Sequence, residues 1–98
     1  MYTKDRILEK LVDHRDQLRH FGVRDIGLFG SLAKDQSSLT SDIDILVDFE
    51  HSQETYENFI AVCDYLKRLF EGQKVDIVTK GGLSRHIGSH ILDNVIYV

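Results

Sequence analysis

The sequence is 98 residues long, with 42% hydrophobic and 29% charged residues, which is enough chain for one small core and too little for two. Twelve basic against sixteen acidic side chains give a formal net charge of -4. This balance excludes a globally positive surface of the kind that holds nucleic-acid backbone non-specifically. We therefore expect a single domain over residues 1–98, with no direct nucleic-acid partner.

Cysteine content and the charges of the first residues indicate the compartment. Cys63 is the only cysteine, so the chain cannot form an internal disulfide, which fits a reducing environment. Lys4, Asp5 and Arg6 stand where a signal peptide would need apolar residues. No apolar run approaches the ~20 residues of a membrane-spanning helix. The sequence thus predicts a cytoplasmic protein that does not insert into membranes.

The first third of the chain predicts a helix, a strand and a polar loop. Apolar residues recur at helical spacing over residues 3–20, with Thr3 as the amino-terminal cap and Gly22 at the stop. Residues 23–30 form a short apolar stretch bounded by glycines, which predicts a strand. One helical turn is expected at 31–35, followed by a turn of small polar residues.

The middle of the chain predicts a strand and a long helix. Residues 41–50 alternate, so that one face of the strand is apolar while the other carries Asp42, Asp44, Leu46 and Asp48. Ser52 is the expected cap of a helix that ends before Gly72. The apolar stripe expected on this helix consists of Tyr56, Phe59, Ile60, Cys63, Leu66, Leu69 and Phe70.

The last quarter predicts a third strand and a short helix. Asp76 alternates with aliphatic residues in a strand over residues 74–79. Leu83, Ile87 and Ile91 fall four residues apart, as on a helix, and residues 95–98 form an apolar tail that has to be buried. This order of elements predicts an α/β fold with a three-stranded mixed sheet flanked by helices.

Asp42 and Asp44 are the first candidate site residues. Two residues apart on a strand, they project from one face with Cα atoms ~7 Å apart, so their carboxylates can share a metal ion. Their hard oxygen ligands favour Mg²⁺ or Mn²⁺. The same alternation is also the ordinary pattern of a half-exposed strand, and the pair alone leaves both interpretations open.

The turn at Gly30 and Ser31 is the second candidate. At the end of a strand, its free backbone N–H groups and its hydroxyl can hold phosphate oxygens, although a simple tight turn with Ser31 as a cap has the same pattern. Asp76 is either a third acid of the site or an exposed strand residue. Three acids on neighbouring strands would form a two-metal site that polarises a phosphoryl group while a carboxylate takes a proton.

These residues carry a family resemblance. Gly30-Ser31, ten residues, Asp42-Ile43-Asp44 and then Asp76 resemble the signature of the DNA polymerase β-like nucleotidyltransferase superfamily. Residues 27–31, 41–47, 74–78 and 91–98 are similar to its minimal nucleotidyltransferase members, so the resemblance covers nearly the whole chain. It implies the minimal polymerase β-like nucleotidyltransferase fold.

The resemblance also implies roles for individual residues. Asp42, Asp44 and Asp76 would be catalytic residues and ligands of two Mg²⁺ ions, and Asp76 would also assist the attacking hydroxyl. Lys34 stands where family members often have arginine, and it would offset phosphate charge without the bidentate fork of arginine. The nucleotide-binding residues implied for the substrate ATP are Gly30, Ser31 and Lys34.

Members of this family commonly act as the antitoxin of a type VII-like pair whose toxin is a HEPN-domain ribonuclease. The resemblance implies that this chain transfers AMP from ATP to a tyrosine hydroxyl of that toxin, with which it would form a hetero-oligomer. The alternative is a non-catalytic antitoxin that neutralises the toxin by complex formation. Transfer to a small molecule and nucleic-acid polymerisation rank lower, because the chain has neither an additional helical domain nor a basic stripe.

Two further spacings resemble part of the HEPN ribonuclease motif. Arg15 with His20, and Arg85 with His90, have four residues between them. Neither pair has the tyrosine expected two residues after the histidine. We interpret both as residues of exposed helix faces.

Overall fold

The computed structural model describes residues 2–34, 42–83, 91–92 and 94–98. Its helices are α1 (Lys4–Asp13), α2 (Arg15–Arg19), α3 (Gly30–Ala33) and α4 (Tyr56–Leu69). Its strands are β1 (Val23–Phe29), β2 (Ile43–Phe49), β3 (Val75–Thr79) and β4 (Ile96–Tyr97). Within these ranges, no helix is both long and apolar enough to cross a membrane.

The strands form one mixed sheet in the order β3-β2-β1-β4. Strand β2 lies in its middle, antiparallel to β1 and parallel to β3, and β4 pairs antiparallel with the other side of β1. The predicted α/β fold with a mixed sheet is confirmed, but the prediction of three strands is wrong by one. Strand β4 is only two residues long, too short for an alternating pattern to show in the sequence.

Helices cover one face of the sheet. The aliphatic residues of β2 on that face, Ile43, Ile45 and Val47, are fully buried. They share the main core cluster with residues of α1, α2 and α4: Ile7, Leu11, Leu18, Val62 and Leu66. The alternation of β2 therefore turns Asp44 and Asp48 to the opposite face, as the sequence predicts.

The predicted first helix is divided into α1 and α2 at His14. Thr3 caps α1 as predicted, because its side chain accepts a hydrogen bond from the Arg6 N–H. His14 leaves helical geometry at φ -110° and ψ 10°, and its ring is hydrogen-bonded to the Tyr65 hydroxyl. Leu11 and Leu18 are both fully buried on either side of the break. The apolar spacing thus continues across it, and periodicity alone cannot reveal it.

Helix α4 begins later than predicted. Its cap is Thr55, whose side chain accepts a hydrogen bond from the Asn58 N–H at 3.2 Å, so the prediction of Ser52 is wrong. Ser52 instead adopts a φ of 66° in the turn before the helix. The predicted stripe is also partly wrong: Tyr56 is 76% exposed, and Cys63 is half-buried.

Two predicted segments fall wholly or largely outside the described residues. They are the polar turn at 36–41 and the helix built on Leu83, Ile87 and Ile91. The apolar tail is described, and it contains β4. Ile96 and Val98 are partly buried against the core, whereas Tyr97 is 45% exposed.

Candidate functional site

Asp44 lies near the start of β2, on the sheet face opposite the one that packs against α1, α2 and α4. Its neighbours along β2, Ile43 and Ile45, are fully buried on the other face, which fixes the direction of the Asp44 side chain. Asp44 is half-buried, and Asp42, also half-buried, directly precedes the strand. The two acids are therefore neighbours on one side of the central strand, as the sequence predicts.

Asp76 comes to the same place from the adjacent strand. In the parallel pairing of β2 with β3, Asp44 is the register partner of Asp76. Residues in register on neighbouring strands project from the same face, with strands ~4.8 Å apart. We name Asp42, Asp44 and Asp76 the acid cluster.

The charges of the acid cluster affect one another. Burial, followed by the negative charges of Asp76 and Asp42, raises the pKa of Asp44, while the positive charge of Lys74 lowers it. Lys74 directly precedes β3, and its Nζ lies 3.8 Å from Asp42 Oδ2 and 3.7 Å from Asp76 Oδ1. The Lys74 ammonium therefore offsets part of the negative charge of the acid cluster.

Gly30 touches the acid cluster from the end of β1. Its φ is 77°, in the left-handed region that favours glycine. A Cβ atom added at Gly30 would overlap Asp44 Oδ2 and lie 3.1 Å from Asp44 Cγ. The backbone at Gly30 can approach the carboxylate this closely only because the residue lacks a side chain.

Ser31 and Lys34 follow on the short helix α3. Ser31 is half-buried, and its carbonyl oxygen accepts a hydrogen bond from the Lys34 N–H at 3.2 Å. Lys34 is exposed, and together with Gly30 it borders a cavity of about 220 Å³ whose other lining residues are Phe29, Ile91 and Asn94. The Gly-Ser turn and its lysine therefore lie at the same end of the sheet as Asp44.

The acid cluster has the donor chemistry of a Mg²⁺ site, because all of its ligand atoms are carboxylate oxygens. Burial, and then repulsion from Asp76 and Asp42, raises the pKa of Asp44, and a divalent cation would relieve the repulsion. Among the described residues, no three Asp, Glu, His or Cys side chains are already arranged as a set of metal ligands. The ligand chemistry of these residues fits Mg²⁺, but their carboxylates do not yet converge on one point.

Lys74 is the residue at this site that the motif analysis did not identify. A signal for it exists in the sequence, since a strand places residues 74 and 76 on the same face. The Lys74 carbonyl oxygen accepts a hydrogen bond from the Ile43 N–H at 2.9 Å, which sets Lys74 beside Asp42. That pairing between strands was not predicted, because register cannot be seen in local periodicity.

Of the two Arg–His pairs with HEPN-like spacing, only Arg15 with His20 lies within the described residues. Arg15 and His20 are exposed at the two ends of α2, and the pair Arg85 and His90 lies outside the described residues. The largest described cavity, about 450 Å³, lies among the helices and is lined by residues that include His14, Phe21 and Tyr65.

A family model of the nucleotidyltransferase domain matches residues 6–98 of the chain. This chain belongs to the nucleotidyltransferase domain family. The nucleotidyltransferase is 41% identical to a relative from Thermococcus cleftensis named protein adenylyltransferase MntA, over 100% of this chain and 98% of that one. The family match and this relative thus agree that the chain is a nucleotidyltransferase.

Solved structures share the fold of this nucleotidyltransferase. A structure described as a minimal nucleotidyltransferase aligns with a TM-score of 0.82 and 25% identity, covering 97% of this chain and 95% of that one. A toxin–antitoxin structure with AMP-PNP aligns with a TM-score of 0.56 and 20% identity, covering 98% of this chain and 72% of that one. The second likeness shows the fold alone.

Proposed function

We propose that this chain is a protein adenylyltransferase that transfers AMP from ATP to a tyrosine hydroxyl of a HEPN-domain ribonuclease toxin, and that it is the antitoxin of that toxin. The observation that carries the proposal is the meeting of Gly30, Asp44 and Asp76 on one face of the sheet. The name of the Thermococcus cleftensis relative supports adenylyl transfer, and the toxin–antitoxin structure with AMP-PNP supports the partner and the nucleotide.

In this proposal, the turn after β1 holds the triphosphate. The backbone N–H groups at Gly30 and Ser31 and the Ser31 hydroxyl donate hydrogen bonds to phosphate oxygens. Lys34, exposed beside the turn, offsets part of the negative charge of the triphosphate. The cavity next to Gly30 and Lys34 leaves this part of the surface open to a ligand.

The acid cluster binds two Mg²⁺ ions in this proposal. Bound there, the ions would polarise the α-phosphoryl group and lower the pKa of the acceptor hydroxyl. The carboxylates of Asp42 and Asp44 would hold these ions together with Asp76, and Asp76 accepts the proton of the attacking tyrosine. The tyrosine oxygen forms a bond to the α-phosphorus, the bond from that phosphorus to the β-phosphate oxygen breaks, and pyrophosphate leaves.

A second candidate function is neutralisation of the toxin by binding alone. One observation favours it: the Lys74 ammonium lies 3.8 Å from Asp42 Oδ2 and 3.7 Å from Asp76 Oδ1, so a side chain already balances part of the charge of the acid cluster. In that case the acid cluster contributes to nucleotide binding or stability, and the complex itself blocks the ribonuclease. The same experiment separates the two functions.

The test is intact-mass spectrometry of a HEPN-domain protein encoded beside this chain, after incubation with ATP and Mg²⁺. We compare wild type, the double variant Asp42→Asn/Asp44→Asn, and Asp25→Asn as the matched control. Asp25 lies on the same sheet face, opposite Asp48 in the register and four residues from the end of β1. Asp25→Asn removes the same kind of charge at a distance from the acid cluster.

Mass increments of roughly 329 Da, one AMP each, in reactions with wild type and Asp25→Asn but not with the double variant establish adenylyl transfer. A toxin that stays unmodified but is inhibited in a stable complex by all three proteins establishes neutralisation by binding. Absence of both modification and complex overturns both candidate functions.

A further inference from the structure

Lys74 bridges two members of the acid cluster. Its Nζ lies 3.8 Å from Asp42 Oδ2 and 3.7 Å from Asp76 Oδ1, so it is nearly equidistant from the two carboxylates. Both distances are longer than a normal hydrogen bond, so the contact is ionic rather than a fixed hydrogen-bond geometry. The side chain is 70% exposed, which leaves its four-carbon stem free to turn outward.

We propose that the Lys74 ammonium is the resident counter-cation of the acid cluster: it occupies the place between Asp42 and Asp76 in the metal-free protein and competes with divalent cations for these carboxylates. The inference rests on the proposed function, because it takes the acid cluster to be the metal site. It makes Lys74 a positioning residue that sets metal affinity.

Electrostatics give the direction of the effect. The Lys74 ammonium lies within 4 Å of the carboxylates of Asp42 and Asp76, and a unit positive charge at this distance reduces the repulsion among the acids. The same charge repels an incoming divalent ion, so Lys74 must turn away, or remain nearby at a cost in affinity. A merely orienting lysine would act in the opposite direction, because its removal would loosen the carboxylates and weaken metal binding.

The test measures Mn²⁺ binding to the full chain without nucleotide, by electron paramagnetic resonance of free Mn²⁺ at 0.1 M ionic strength. Lys74→Met removes the charge and keeps most of the stem, and Lys74→Arg keeps the charge. Lys80→Met is the matched control, six residues away beyond the other end of β3. That separation is about 20 Å along an extended strand, twice the Debye length of about 10 Å.

The expected result is Mn²⁺ binding that is about threefold to tenfold tighter in Lys74→Met than in wild type, with Lys74→Arg and Lys80→Met close to wild type. The gain should diminish in 0.5 M NaCl, where salt screens the lost charge. A second readout needs no metal: Lys74→Met should unfold at a lower temperature than wild type in low salt, and this deficit should also diminish in high salt.

Unchanged or weaker Mn²⁺ binding in Lys74→Met overturns the proposal, as does equal tightening in Lys80→Met. Failure of the proposed function looks different. If Lys74→Met binds Mn²⁺ more tightly but wild type never modifies the toxin, the role of Lys74 stands and adenylyl transfer fails. If neither wild type nor Lys74→Met binds Mn²⁺, the acid cluster is not a metal site and both proposals fall.

Discussion

The Cα atom of Gly30 lies against the carboxylate of Asp44, so close that a methyl group on this carbon would overlap Asp44 Oδ2. This contact joins the turn proposed to hold phosphate to the acid proposed to hold metal. Gly30 and Asp44 are 14 positions apart in the sequence, and the antiparallel pairing of Phe29 with Asp44 brings them together. The Gly-Ser and Asp-x-Asp motifs thus form one structural unit.

We expect Gly30→Ala to lose most of the nucleotidyl transfer activity. The variant forces a side chain into a left-handed conformation, which costs about 1–2 kcal/mol, and also pushes the Asp44 carboxylate from its place. Urea denaturation and the toxin modification assay measure the two effects.

Gly72→Ala is the control for the backbone part of this effect. Gly72 has a φ of 94°, but no atom lies within 4 Å of the position of an added Cβ. The variant should therefore lose a similar amount of stability from its backbone and keep its transfer activity. Equal activity in both alanine variants would show that the contact between Gly30 and Asp44 is irrelevant to the reaction.

The raised pKa of Asp44 predicts a pH dependence of stability in metal-free protein. The folded chain holds the Asp44 proton more tightly than the unfolded chain, whose aspartates titrate near pH 4. As the pH rises from there through the raised pKa, the unfolded chain binds fewer protons, and the free energy of unfolding falls. Asp44→Asn removes this loss, so in EDTA the variant should be more stable than wild type at pH 7.

Urea denaturation between pH 3 and pH 7.5 measures the difference in the free energy of unfolding between Asp44→Asn and wild type. It should shrink toward zero as the pH falls below about 4, where Asp44 is protonated in both states. Added Mg²⁺ should also reduce it, by stabilising wild type alone. The same substitution at exposed Asp25 should not reproduce this profile. A difference that is constant with pH would contradict the electrostatic origin.

Local pattern predicted the parts of the fold that depend on burial. The alternation of β2 fixed which face carries Asp44, because each aliphatic neighbour had to enter the core. Local pattern failed where distant contacts decide the structure. The break at His14 accompanies a hydrogen bond to Tyr65, 51 positions away, and β4 exists because a two-residue segment meets β1.

The same distinction applies to the candidate site. The spacing of Asp42 and Asp44 on one strand could be predicted, since it follows from the geometry of a single element. The contact of Lys74 with Asp42 could not, because it depends on the parallel register that places β3 beside β2. The family resemblance implied that Asp76 belongs to the same site as Asp44. The parallel register explains why, because it pairs Asp44 with Asp76 on neighbouring strands.

The cap of α4 gives a direct stability prediction. Thr55→Ala removes the side-chain oxygen that accepts the Asn58 N–H, and it should lower the free energy of unfolding by about 1 kcal/mol. Ser52→Ala leaves the cap intact, so its effect should be smaller. Chemical denaturation of the two variants measures the difference. A larger loss for Ser52→Ala would restore Ser52 as the capping residue.

The contact between β1 and β4 can be tested at Gly27. A Cβ atom at this position would overlap Val95 Cγ1 and lie 2.8 Å from the Ile96 carbonyl oxygen, so Gly27→Ala should displace β4. Overpacking of this kind costs about 1–3 kcal/mol. Hydrogen exchange at the Val98 amide reports on the displacement, because this N–H donates to the Ile26 carbonyl oxygen at 3.0 Å. Faster exchange at Val98, with protection kept in the middle of β2, is the expected result. Unchanged exchange at Val98 would show that β1 accommodates the methyl group without moving β4.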